Sequence, residues 1–150
     1  RMSTGGAVGP MARIAPAKAR TGIDGYFRAW ERAVAAFGEG QVSTYVILGM
    51  GEDPDLIVEG CRRAIDIGVY PFVVPLRPTV GSLMEDLVAP SPEYCETIYR
   101  RVVPYLRARG IGAHTAAAGC ARCQACSGMS LLEERTDADG RTFLPLVSHG

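Results

Sequence analysis

Charge of neither sign dominates this chain. Sixteen basic residues balance sixteen acidic ones, which removes the electrostatic case for a nucleic acid or an anionic membrane surface as the main partner. No apolar run is long enough to span a bilayer, and no signal-peptide core stands near the N-terminus. No Ser-His-Asp set is readable and no G-x-x-x-x-G-K-[ST] phosphate loop occurs. The Gly-Met-Gly-Glu turn lacks the third glycine of a dinucleotide fingerprint. Cysteine is present in an odd number, five, with three in one tight cluster. That argues against a disulfide framework and for a reducing, cytoplasmic setting. What remains is an ordinary apolar share, 47% over 150 residues, enough for one domain with a real core.

The chain reads around Gln41–Asp53. Tyr45–Leu48 is a continuous apolar run rich in β-favouring residues, the pattern of a strand buried on both faces in a parallel sheet. Gly49 and Gly51 end it, and Asp53-Pro54 is an N-cap followed by proline at the first helical position. A strand, a glycine turn and a helix start follow one another, and in parallel α/β folds ligands bind at that end of a strand. Any βα unit needs such a turn, so the glycines alone name no ligand.

Around this centre, Arg1–Ala17 has no periodicity and reads as a loop. Gly25–Phe37 is a helix with Tyr26, Phe27, Trp30, Ala33, Val34 and Phe37 on one apolar face, an expected core stripe. Asp55–Ile67 is a second helix, with Ile57, Cys61, Ala64 and Ile65 inward. Val69–Leu76 is a second buried strand, expected to be irregular or near an edge because it carries two prolines. Ser91-Pro92 opens a third helix that ends at Arg109, with Ile98, Val102 and Leu106 inward and a bend at Pro104. Ile111–Ala118 is a candidate third strand. Met129–Arg135 reads as a short helix, Asp137–Gly140 as a turn and Thr142–Val147 as a short strand.

The alternation of helix and strand predicts an α/β fold with a parallel sheet. About three strands fall well short of a closed barrel, so the expected architecture is a partial (β/α) TIM-type barrel, its C-terminal half, with a Cys-rich C-terminal extension. The expected division is a loop or disordered lead-in over 1–20, the partial barrel over 21–118 and a metal-binding tail over 119–150. The chain opens without an evident first element and reads as a piece of something longer.

Cys120, Cys123 and Cys126 form two overlapping C-x₂-C pairs, a spacing that lets thiolates converge on one metal centre. An iron–sulfur cluster or Zn²⁺ fits this pattern. A redox disulfide pair and a set of small thiols without metal are the alternatives. A fourth ligand would be His114, Cys95, Cys61, a substrate atom or a residue from elsewhere. Taken singly, Cys61 and Cys95 read as small hydrophobes and His114 as structural. Glu52 either caps the next helix or fixes the turn against a ligand. Arg77, at the mouth of the second strand, either grips a carboxylate or phosphate or is a solvated loop residue.

Tyr45-Val46-Ile47-Leu48-Gly49-Met50-Gly51-Glu52 resembles the G-x-I-x-G-x-x-E motif of radical SAM enzymes, matching at Ile47, Gly49 and Glu52, with Tyr45 in place of the first glycine. Ile-Ala-Pro-Ala-Lys-Ala-Arg before the first helix and Val-Pro-Leu-Arg-Pro-Thr-Val-Gly-Ser after the second strand look like the biotin-synthase-like branch, in particular its members from nitrilase-associated bacterial gene clusters. The likeness extends over most of residues 12–130. It implies that the motif lies on a barrel strand and shapes a site for S-adenosylmethionine, with Ile47, Gly49, Gly51, Glu52 and Arg77 as cofactor-binding candidates. It also implies a [4Fe–4S] cluster and radical chemistry on a small-molecule substrate. The family's C-x₃-C-x₂-C is absent, so Cys120, Cys123 and Cys126 would hold an auxiliary cluster or zinc at most. The radical-generating cluster would belong to a missing N-terminal half of the barrel, and the fragment alone would be inactive. A small iron–sulfur or zinc-binding module without catalysis is the competing expectation, and an αβ binding domain without metal the third.

Overall fold

The computed structural model describes residues 16–117 and 119–133. Along the chain run α1 (Pro16–Phe37), β1 (Val42–Leu48), α2 (Pro54–Asp66), β2 (Val69–Pro75), α3 (Pro92–Arg109), α4 (Gly119–Cys123) and α5 (Met129–Glu133). β1 and β2 pair in parallel, in register from Val42↔Val69 to Leu48↔Pro75. Among the described residues the sheet therefore has two strands and is open, with five helices around it.

The helix boundaries follow from local chemistry. Asp53 caps α2 by accepting from Asp55 N at 2.8 Å, with Pro54 in the first turn. Ser91 caps α3 by accepting from Tyr94 N at 3.2 Å, again with proline next, and Gly110 closes it in the left-handed region. These are the N-terminal proline and C-terminal glycine that helix ends favour. Val58, Cys61, Ala64 and Ile65 of α2 and Ile98, Val102 and Leu106 of α3 are buried. The two helices pack on each other and on β2. α1 starts earlier than the periodicity predicts, and its backbone breaks at Gly22, φ 67° and ψ 161°. Its aromatic stripe is no core: Tyr26, Phe27 and Trp30 are half-buried. Phe37 is 72% exposed. Trp30 meets Phe27 edge-on and Tyr26 at a tilt, and Arg63 lies 4.3 Å over Phe27.

The expected partial barrel is not what forms. Ile111–Ala118, the candidate third strand, is a turn through Ala113–Thr115 where it is described. Thr115 folds back on Gly112, its N and Oγ1 both donating to Gly112 O and its Oγ1 accepting from Gly112 N. The Gln41 amide takes Thr115 O at 2.9 Å and Ala117 N at 3.0 Å. The segment's backbone groups are met by side chains, leaving no ladder to drive a strand. The outer edge of β2 is closed as well. Leu76 N donates to Leu48 O, so even-numbered N–H groups of β2 face β1 and odd-numbered ones face away. Positions 71 and 75 on that outward side are prolines without an N–H, and the outward carbonyl of Val73 accepts from Ser127 Oγ at 2.6 Å. No parallel neighbour could build a full ladder there.

β2 is buried as expected, but its regularity and the exposure of β1 depart from expectation. Prolines included, β2 is regular and buried through Val74, whereas β1 alternates half-buried and exposed up to the buried Leu48 at its end. The shared register places Tyr45 and Ile47 on the same face as Tyr70, Phe72 and Val74. The segment 119–133 crosses the β2 part of that face: Tyr70 OH donates to Glu133 Oε1 at 2.6 Å, and Glu133 Oε2 accepts from Ala113 N at 2.8 Å. Burial and the Glu133 carboxylate hold the Tyr70 phenol far above its usual range, so it stays a donor. α5 covers the predicted Met129 helix as far as Glu133. The turn at Asp137–Gly140 and the strand at Thr142–Val147 lie outside the described residues.

Candidate functional site

At the carboxyl end of β1 the chain turns through Gly49 and Gly51, both at positive φ, 97° and 81°. Glu52 locks the turn. Its Oε1 accepts from Gly49 N at 2.8 Å and from Tyr94 OH at 2.9 Å, and its Oε2 accepts from Met50 N at 2.7 Å. Partial burial pushes the Glu52 carboxyl up, but the bonds from Gly49, Tyr94 and Met50 outweigh it and hold its pKa below the usual value. Burial and the neighbouring Glu52 charge push the Tyr94 phenol up to about 12, keeping it a neutral donor. Two backbone donors that would otherwise face solvent or a ligand are thus bound internally, and the carboxylate is charge-assisted on three sides.

The two glycines do different work. A Cβ at Gly49 would lie 2.7 Å from Pro90 Cδ, so this position is glycine for packing as well as for its φ. A Cβ at Gly51 would meet nothing within 4 Å. Its backbone is open to approach from outside. Ile47, two residues before Gly49 on the partly uncovered sheet face, is 42% exposed. Ile47, Gly49, Gly51 and Glu52 therefore stand together at one corner. Tyr94 is the member that sequence reasoning missed. The Ser91-Pro92 cap was the available signal, since it fixes Tyr94 in the first turn of a helix entering at the carboxyl end of the sheet.

Arg77 comes next to that corner: the residue before it, Leu76, lies against Gly49 and donates its N–H to Leu48 O. Arg77 follows β2 and lines a cavity of about 550 Å³. Pro90, whose ring closes on Gly49, also lines this cavity. The loop between β2 and α3 leaves Val80, Leu83 and Val88 almost fully in solvent.

The three clustered cysteines fall on the segment that crosses the sheet face, with Cys120 against Tyr45. Cys120 is half-buried while Cys123 and Cys126 are exposed, and all five cysteines of the chain are free. Contact with Cys120, then partial desolvation, raises the pKa of the Tyr45 phenol. Gln124, between Cys123 and Cys126, sits in the left-handed region at φ 58°. Cys126 follows this reversal and lines the Arg77 cavity. Among the described residues no group of three or more His, Cys, Asp or Glu side chains is disposed to hold a metal ion. As folded, the three thiols are not gathered into such a group. Nor does a fourth ligand join them: Cys61 is buried under α2, where desolvation pushes its thiol up to about 12, Cys95 is buried on α3, and His114 is exposed in the turn after α3.

No family model matches this chain, and neither a curated protein nor a solved structure is similar to it. Among the described residues no helix is long and apolar enough to cross a membrane.

Proposed function

We propose that this chain contributes an S-adenosylmethionine-facing corner to a radical SAM enzyme acting on a small molecule in a reducing, cytoplasmic setting. The observation that carries the reading is the Glu52 carboxylate fastened to Gly49 N, Met50 N and Tyr94 OH, which freezes the turn that resembles the G-x-I-x-G-x-x-E motif. The open backbone at Gly51 beside Ile47 fits a group approaching the turn from outside. Ile47 would offer an apolar surface, Gly49 and Gly51 close access, and Glu52 the fixed shape. Bound there, S-adenosylmethionine would supply a sulfonium whose reductive cleavage starts radical chemistry. The chain's own contribution is to hold the cofactor in place and keep the turn from relaxing. The cysteines at 120, 123 and 126 carry no step of this chemistry. With no C-x₃-C-x₂-C in the sequence, the electron must come from a cluster held by another part of the enzyme, and this chain alone gives no turnover.

Equilibrium dialysis against radiolabelled S-adenosylmethionine tests the reading. Saturable binding that S-adenosylhomocysteine displaces is expected, with loss in Gly51→Val and weakening in Glu52→Gln. Absence of saturable binding by the intact chain sinks it. Anaerobic reconstitution with iron and sulfide, followed by metal analysis, is expected to leave the cysteines metal-free. Stoichiometric metal that disappears in a Cys120/Cys123/Cys126→Ala variant would favour a metal-binding module instead.

A further inference from the structure

The cavity at the carboxyl end of β2 lies between the first half of α3 and residues 125–132, and its volume of about 550 Å³ is that of a small-molecule site. Pro75, Pro90, Tyr99, Leu131 and Leu132 give it a largely apolar wall. Its charged groups are two. Glu96 is held by Arg100 at 2.6 Å, which leaves its charge compensated. Arg77 makes no ion pair and its guanidinium no hydrogen bond among the described residues. Every arginine on α2, α3 and α4 has an acid, an aromatic face or a backbone carbonyl beside it, and Arg20, Arg28 and Arg32 of α1, which have none among the described residues, do not line the cavity. An uncompensated guanidinium at the edge of an apolar hollow is a fork for a planar anion.

We propose that this cavity binds a small molecule with an apolar body and a single carboxylate, the carboxylate on Arg77 and the body against Tyr99 and Leu131. Glu96 adds selectivity: tied to Arg100, it leaves no free cation beside it for a second acid group. The site needs neither the Gly49–Glu52 turn nor S-adenosylmethionine, so it stands or falls separately from the reading above. Cys126, at the wall, is a built-in reporter, because an occupant shields its thiol while Cys123, which does not line the cavity, stays open.

Calorimetric titration of the full chain, without S-adenosylmethionine, against straight-chain monocarboxylates and phenylbutyrate, each paired with its neutral amide, decides the matter. At least one acid is expected to bind about tenfold more tightly than its amide, the scale of one charge-assisted pair. Arg77→Gln is expected to erase that preference without moving the urea midpoint. The bound acid is expected to slow iodoacetamide labelling of Cys126 but not of Cys123, resolved by peptide mass spectrometry. Failure of every acid to bind, equal binding of acid and amide, a preference that survives Arg77→Gln, or binding that leaves Cys126 unprotected each overturns the proposal.

Discussion

β1 and β2 have the same length, pair residue for residue and carry similar apolar sequences, yet one is the centre of the core and the other its margin. Phe72 is 1% exposed and its register partner Tyr45 is 54% exposed. The difference lies in what covers them. β2 has α2 and α3 packed on it, Glu133 and Ser127 reaching it from the C-terminal segment, and β1 along one edge. β1 has β2, a contact with α1 no greater than that of α3 with β2, and Cys120 at Tyr45, with no counterpart to α2 among the described residues. Strand hydrophobicity thus marks what a segment can bury, while the rest of the chain decides whether it does.

Truncation gives the largest test of this contrast. Phe72→Ala is expected to cost about 3–5 kcal/mol in urea unfolding, as for other fully enclosed aromatic residues. Tyr45→Ala is expected to cost about 1 kcal/mol, mostly its edge-on contact with the Phe72 ring at 5.3 Å. Equal losses at the two positions would mean that Tyr45 is covered in solution and that the two strands are alike after all.

Much of the fold was legible in the sequence because its signals are local. Asp53-Pro54 and Ser91-Pro92 set helix starts, Gly110 sets a stop, and the Ile98, Val102 and Leu106 spacing shows which side of α3 turns inward. Tyr45–Leu48 and Val69–Leu76 were readable as parallel strands for the same reason. The burial of β2 was readable too, while that of β1 was not, since it depends on partners distant in sequence. Prolines 71 and 75 suggested an irregular edge strand. Their missing donors fall on the outward side, where they close an edge without disturbing the pairing to β1. The absent third strand was equally hidden: Gln41, more than seventy positions earlier, takes the backbone of Thr115 and Ala117. At the site, Glu52 was legible as a turn-fixing residue, while its bond to Tyr94 depends on the start of α3 arriving at the turn after β1.

The two strand ends sharpen the contrast further. The turn after β1 is fastened by Glu52, and the loop after β2 runs through exposed Val80, Leu83 and Val88. Glu52→Ala is expected to cost roughly 2 kcal/mol, since three donors lose a partly exposed, charged acceptor. The acid limb of stability carries the same information. A carboxyl held below its usual value of 4.5 in the fold stabilises above the unfolded-state pKa, and its contribution is lost as pH falls through the folded-state value. Wild-type stability is therefore expected to drop below about pH 4.5 more steeply than that of Glu52→Gln, followed by urea midpoint. Parallel acid limbs would remove Glu52 from the account of the turn.

The closed outer edge of β2 predicts a smaller loss. Ser127→Ala removes the donor to Val73 O, and about 1 kcal/mol is expected. Adding Pro71→Val restores an outward N–H beside that freed carbonyl, and a bare parallel edge is a template for pairing with another chain. Concentration-dependent association of the double variant by light scattering is the expected result. A strictly monomeric double variant would show that the prolines and Ser127 are not what keeps this edge unpaired.

The last contrast is between two valines on either side of the β2 end, and its exposed member carries the smallest effect of all. Val74 is 7% exposed and Val80 is 94% exposed. Apolar residues stabilise through the area they remove from water, so the same substitution should read differently only through that area. Val74→Ser is expected to cost about 2 kcal/mol or more, because it strips methyl groups from the core and buries a hydroxyl. Val80→Ser is expected to stay within about 0.5 kcal/mol, the range of surface changes that touch nothing. A larger loss at Val80 would place that side chain against a surface in solution, and the loop after β2 would then be part of the packed body and no longer its exposed counterpart to the Glu52 turn.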